Sequence, residues 1–289
     1  MQQRLDGHTL AALFTTLLFW SSAFAGIRAG LRSYQPAHLA LLRFLVASVV
    51  LAVFAAVTRM RLPRRKDLPG IAALGFVGIT VYHVALSHGE VTVTAGAASL
   101  LIAAVPVFSA LLATLVLRER LRVWGWVGIL ISFAGVALIA VGEGGGVRFD
   151  PGAALVMLSA LSSAVYFVFQ KPYLGRYRSL EFTTYSIWAG TFLMLVFVPG
   201  LPTSVRSAPL DATLSIVYLG IFPAAVAYAT WNYALSRAPA SIVSSFLYIN
   251  PVLAIFVAWA WLGEVPTPLA LTGGALALVG VVLINTKGK

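Results

Sequence analysis

LLIAAVPVFSALLATLVL, residues 100–117, returns in altered form as SFLYINPVLAIFVAWAWL, residues 245–262. Around these stretches Ser99, Pro106 and Glu119 recur 145 positions later as Ser244, Pro251 and Glu264, and Gly128 and Gly135 recur as Gly273 and Gly280. Ala85-Leu86-Ser87 returns as Ala234-Leu235-Ser236, four residues out of that register. A 289-residue chain that repeats itself halfway and is apolar throughout reads as a duplicated membrane bundle. In such bundles the working site lies between the halves.

Hydrophobic residues make up 60% of the chain and charged residues 10%, with a mean hydropathy of +0.92. A soluble domain carries about 25% charged residues, so this chain cannot clothe a water-facing surface. Spanning a bilayer takes about 20 apolar residues per helix. Ten such stretches are legible, at 8–30, 36–58, 68–88, 92–117, 122–143, 152–173, 181–200, 210–235, 240–262 and 268–286. The expectation is an all-α integral membrane protein of ten transmembrane helices, arranged as two inverted five-helix repeats over residues 1–145 and 146–289. The first 25 residues imitate a signal peptide, with Arg4, an apolar run and Ala23-Phe24-Ala25. Removing them would leave the first repeat one helix short, so the segment is read as a retained first span.

The pI near 10.3 does not mark a nucleic-acid binder, because the bases punctuate apolar runs instead of lining a polar face. Their distribution gives orientation. Arg4, the run 59–66, the triplet 118–122, Lys171, Arg176, Arg178, Arg237, Lys287 and Lys289 supply fifteen bases on one side; Arg28, Arg32, Arg148 and Arg206 supply four on the other. Both termini are therefore expected in the cytoplasm, with the protein in the inner membrane. Five spans per repeat is odd, so the second copy must enter upside down. The charges reverse accordingly: Arg118-Glu119-Arg120-Leu121-Arg122 is matched by the base-free Gly263-Glu264-Val265-Pro266-Thr267.

Several residues are candidates for the site. Ser99, Ala103 and Pro106 fall on one face of a helix, as do Ser244, Tyr248 and Pro251. A proline in a spanning helix frees a carbonyl that cavity water or polar groups can satisfy; its plainer role is a packing kink. Asn250 is a costly polar neighbour of Pro251. Tyr82-His83 matches Trp231-Asn232. Thr80, His83 and Ser87 form one polar stripe and Tyr228, Asn232 and Ser236 another, and such stripes should avoid lipid. His83 is either a satisfied helix contact or a substrate or proton contact. Ser22, Ser163 and Tyr166, with Trp20 and Ser159 beside them, read either as cavity lining or as small residues for close packing. Arg43 sits roughly 10 Å into its span, where an unpaired arginine costs near 3 kcal/mol by insertion scales; it snorkels outward, anchors helix carbonyls or draws a carboxylate inward. Gly128, Gly135, Gly273 and Gly280 read as close helix packing, and Glu119 and Glu264 as structural caps.

Two inverted five-helix repeats, each ending in a proline-bearing span, a helix-end Glu and a glycine-rich span, resemble the ten-span EamA type of the drug/metabolite transporter superfamily. Trp20-Ser21-Ser22, Leu42-Arg43-Phe44, Ala85-Leu86 with Pro106 and Glu119, and Ala234-Leu235 with Pro251 and Glu264 carry the resemblance. The whole chain looks closest to aromatic amino-acid exporters of the YddG type, on general likeness alone. The resemblance implies export of small metabolites and amino acids across the inner membrane.

All nine carboxylates fall in loops or at span ends. The membrane-embedded Glu that related small multidrug exporters use in their first span is missing between Thr9 and Gly26, which disfavours proton-coupled cation extrusion. The deep basic residues of the sugar-phosphate branch are missing apart from Arg43. What remains is an uncharged polar and aromatic lining suited to a neutral or zwitterionic metabolite, so the expectation is a neutral or aromatic amino-acid exporter working by alternating access. Another neutral metabolite, such as a nucleobase or drug-like compound, is the alternative. A channel or an intramembrane enzyme is remote: there is no cysteine, and His8, His38, His83 and His88 lack ligand spacing. No cofactor or metal is expected. The partners are the small-molecule substrate, an amino acid or similar metabolite, and the lipid bilayer, without nucleic acid; the sequence leaves the oligomeric state open, a monomer included.

Overall fold

The computed structural model describes residues 6–116, 122–143, 150–237 and 246–287, and among them every regular element is helical. Six helical segments are long and apolar enough to cross a membrane: Gly7–Leu31, Pro36–Thr58, Arg65–Gly89, Pro151–Phe169, Leu180–Phe197 and Leu210–Trp231. Shorter apolar helices occupy Ala95–Ser109, Val123–Ile139, Asn250–Leu262 and Pro268–Ile284. Their outer faces remain apolar, with Val49, Leu130, Phe192 and Phe256 each more than 60% exposed. Apolar surface of this extent suits a lipid environment.

The helices are α1 (Gly7–Leu31), α2 (Pro36–Thr58), α3 (Leu68–Gly75), α4 (Tyr82–Gly89), α5 (Ala95–Ile102), α6 (Val105–Val116), α7 (Val123–Glu143), α8 (Pro151–Phe169), α9 (Lys171–Leu174), α10 (Ser179–Met194), α11 (Leu201–Ser207), α12 (Leu210–Ile221), α13 (Ala227–Arg237), α14 (Asn250–Leu262) and α15 (Pro268–Lys287). Local chemistry sets their ends. Asp6 accepts from Thr9 N at 2.8 Å to start α1, and Asp150 accepts from Gly152 N at 2.7 Å to start α8. Pro36 and Pro151 occupy first turns, where no N–H is needed. Gly263, at φ +70°, ends α14 in the left-handed region.

Two prolines interrupt their spans. The expected continuous face of Ser99, Ala103 and Pro106 does not exist, because α5 stops at Ile102 and α6 begins at Val105. Pro106 has no N–H for the Ile102 carbonyl and its ring clashes there, so the chain turns at Ala103 and Ala104. At the equivalent place in the other half, a 3₁₀ turn over Phe246–Ile249 gives way to α14 just before Pro251. Two further irregularities also match: π-helical turns at Phe76–Val81 and Phe222–Val226. These join α3 to α4 and α12 to α13.

The halves exchange partners. α1 packs against α12, α13 and α14, while α8 packs against α4, α5 and α6. α2 lies on α12 and α10 on α3. Thr16 Oγ1 meets Thr230 Oγ1 at 2.7 Å across the first interface, and Ser159 Oγ donates to Tyr82 O at 2.9 Å across the second. α7 and α15 form a separate close pair: a Cβ on Gly128 would lie 2.7 Å from Gly280 O, and Gly135 abuts Gly273 O. Ser132 Oγ donates to Ala277 O at 2.9 Å in the same seam, so the glycines serve close packing as read from sequence.

Candidate functional site

Each π turn opens directly onto a chemistry-bearing residue, Tyr82-His83 after the first and Tyr228 after the second. A π turn leaves a carbonyl off the usual ladder, and the indole of Trp20 donates to one of them, Pro223 O, at 3.2 Å. Trp20 also packs against Tyr228 and Trp231, with ring centroids 5.5 and 5.2 Å apart. Trp20, Tyr82, Tyr228 and Trp231 are half-buried, forming an aromatic wall built from α1, α4 and α13.

Arg43 is the charge at the centre. It does not snorkel: the residue is 4% exposed. Its Nη1 lies 3.4 Å from His83 Nδ1 and its guanidinium carbon 5.4 Å from the Phe44 ring centroid. Among the described residues its Nε has no hydrogen-bond partner, nor does His83 Nε2. Tyr82 and Tyr228 stand within its electrostatic reach. His83 is wedged between rings, 4.4 Å from both Phe44 and Tyr82. The two ion pairs found among the described residues use Arg28 and Arg176 instead. A guanidinium buried without a carboxylate is costly unless an anion arrives to meet it.

The structure therefore brings together Arg43, Tyr82, His83, Tyr228 and Trp231. Tyr166 stands at the edge of the group, its ring against Gly78 in the first π turn and its hydroxyl beside Thr183 and Ser186 of α10. Ser22 is buried, its Oγ 2.5 Å from Tyr218 OH. Ser99 is buried and donates to its own helix at Gly96 O, 2.6 Å away. Thr80 donates to Gly190 O at 2.9 Å. Ser163 is half-buried on α8. Asn250 is engaged by Ser21, whose Oγ lies 2.7 Å from Asn250 Oδ1, tying α1 to α14. Ser244 and Glu119 lie outside the described residues, as do the side chains of Asn232 and Tyr248.

Glu264 is not a cap of its own helix, since Gly263 ends α14. It binds Arg28 Nε at 3.0 Å and accepts from Ala95 N, at the start of α5, at 3.3 Å. Arg28 donates further to the carbonyls of Glu90 at 2.7 Å and Val91 at 3.0 Å. The other ion pair, Arg176 with Asp67 at 2.6 Å, also runs between the halves, and Tyr177 OH donates to Asp67 at 2.7 Å. Neither cross-link was legible in the sequence, because the partners are more than a hundred residues apart. The matching π turns left one faint signal, Gly78 and Pro223 in aligned helices.

Apolar helices around an arginine, a histidine and an aromatic wall make a small-molecule membrane transporter. The chain matches the EamA-like transporter family over residues 8–141 and again over 150–286, and it belongs to that family, within the drug/metabolite transporter superfamily. It is 47% identical to a protein of Bacillus subtilis named "Uncharacterized transporter YdfC", over 93% of this chain and 88% of that one. It is 46% identical to a "Probable terminal-alkyne amino-acid exporter" of Streptantibioticus cattleyicolor, over 96% and 93%. An inner membrane transporter of Escherichia coli, YedA, is 27% identical over 96% and 90%. One solved crystal structure shares the fold at a TM-score of 0.62 and 22% identity, covering 96% of each chain.

Proposed function

We propose that this transporter exports neutral amino acids with apolar or aromatic side chains, by alternating access through the space between its halves. The observation that carries the reading is Arg43: a buried guanidinium whose one hydrogen-bond contact among the described residues is His83. A substrate carboxylate offers it the bidentate acceptor that the protein withholds. Tyr82, Tyr228 and Trp231 then give the side chain a surface to pack on. The relative named for terminal-alkyne amino-acid export supports a neutral amino acid as cargo.

The reading includes ten spans in two inverted repeats, 1–145 and 146–289, with both termini cytoplasmic. The partner exchange of α1 and α8, the matched π turns and the reversed loop charges support it. Spans related by such an axis converge at mid-bilayer, where rocking of one repeat against the other opens either side. Ser244, Tyr248 and Asn232 complete the lining in this reading, with Pro106 and Pro251 setting the two breaks.

The test is counterflow in proteoliposomes with labelled phenylalanine, leucine, propargylglycine, uracil and a quaternary amine. Exchange of the neutral amino acids alone is expected. Exchange confined to uracil or the amine would overturn the assignment.

A further inference from the structure

Glu90 is a buried carboxylate that the transport reading leaves unused. It follows the last turn of α4 and is 0% exposed. Neither side-chain oxygen has a hydrogen-bond partner among the described residues. Its backbone carbonyl is bound by Arg28, which pairs with Glu264, and Arg28 and Glu264 line an opening of about 250 Å³ together with Leu31, Arg32 and the next residue, Val91.

The charged groups facing it from the surrounding elements leave it unpaired. Arg28 of α1 spends Nε on Glu264 and Nη1 on the carbonyls of Glu90 and Val91. Arg43 of α2 lies deeper and rests on His83. Glu264 repels it. Asp150, at the start of α8, is occupied by Gly152 N and Thr92 Oγ1. His88, on the same helix, is exposed and bonds Val84 O at 2.8 Å. An ionised carboxylate in this setting would forfeit its hydration without a hydrogen bond in return, and the attraction of Arg28 and Arg43 does not offset that loss.

We propose that Glu90 is a proton-binding site built into the gate that Arg28 and Glu264 close, so that closing this end of the transporter takes up one proton. While the bridge is shut, Glu90 is a neutral acid. When the bridge parts, water reaches the carboxyl group, the proton leaves, and the freed Arg28 faces a carboxylate. Burial pushes the Glu90 carboxyl well above the usual range in the closed form. The sign follows: the form with the raised value is favoured at low pH and loses ground as pH rises. Alkaline conditions on this face open the gate and acid shuts it. In the orientation proposed above the face is the outer one, and only that assignment is borrowed.

The test uses Val93→Cys in this cysteine-free chain. Val93 is 0% exposed and lies in the chain between Val91, whose carbonyl binds Arg28, and Ala95, whose N–H binds Glu264; in the proposal a membrane-impermeant maleimide reaches it only when the gate is open. After correction for thiolate fraction with a free-thiol standard, the labelling rate is expected to rise up to about tenfold per pH unit between pH 5 and 8. Glu90→Gln, which mimics the protonated acid, should hold the rate at its acid value throughout. A flat profile in the Val93→Cys protein overturns the proposal, as does an unchanged slope when Glu90→Gln is added. Labelling from the opposite face with the same pH dependence would refute the orientation and leave the proton site standing. No cargo is needed for the readout, so an error in the substrate assignment cannot mimic either result.

Discussion

Replacing Gly135 by alanine places a methyl group where α7 and α15 touch backbone to backbone. A Cβ built there lies 2.9 Å from Ala277 Cα and closer still to Gly273 O and Ala277 N. These are main-chain atoms, so no rotamer change relieves the clash, and the helices must separate. A gap of about 0.5–1 Å forfeits roughly a quarter to a half of each neighbouring dispersion well. It also stretches the 2.9 Å hydrogen bond from Ser132 to Ala277 O. Overpacking of this kind costs about 1–3 kcal/mol, against which alanine's better helix propensity returns at most about 1 kcal/mol. Gly135→Ala should therefore melt below the wild type in detergent, and Gly135→Leu should fail to assemble. Gly7→Ala is the control, because nothing lies within 4 Å of its Cβ; it should melt at or above the wild-type temperature. Equal melting of Gly135→Ala and Gly7→Ala would refute the close backbone contact. Substrate preference should survive in Gly135→Ala, since neither helix contributes to the central group.

Single cysteines should report the inverted arrangement: Arg148→Cys and Glu264→Cys label from outside, Arg65→Cys and Arg120→Cys from inside. Labelling of Arg120→Cys and Glu264→Cys from one side would break it. Tyr248→Ala should raise the counterflow half-saturation concentration without lowering expression, and wild-type affinity would remove Tyr248 from the lining. His83→Ala should slow transport at every pH if the ring only steadies Arg43 and substrate; a profile that merely flattens would make it a proton sensor instead.

The sequence carried whatever repeats or alternates locally. The doubled proline stretch announced duplication, the glycines at 128, 135, 273 and 280 announced a tight helix seam, and the stripe through His83 announced a polar interior. It concealed what depends on meetings across the fold. Ser22 reads as cavity lining until Tyr218 takes its hydroxyl. Glu264 reads as a cap, but that the helix start it meets is Ala95 of α5, and that Arg28, 236 positions earlier, lies against it, shows only in the fold. Glu90 reads only as one more carboxylate in a loop or at a span end, because burial there depends on which helices close over it. The breaks at Ala103 and at the π turns arise from proline and close packing acting on hydrogen-bond geometry, which hydrophobic periodicity does not register.

The central claim, that Arg43 receives the carboxylate of a neutral amino acid, is tested most directly by competition. Counterflow of labelled phenylalanine is measured against unlabelled phenylalanine and against phenethylamine, which lacks only the carboxylate, in wild-type protein and in Arg43→Gln. A hydrogen-bonded charged pair lost from a desolvated site costs about 2–5 kcal/mol. Wild-type protein should thus prefer phenylalanine at least about thirtyfold, and Arg43→Gln, while still folded, should lose that preference. Equal competition by the two compounds in the wild type, or a preference undiminished in Arg43→Gln, would contradict the account.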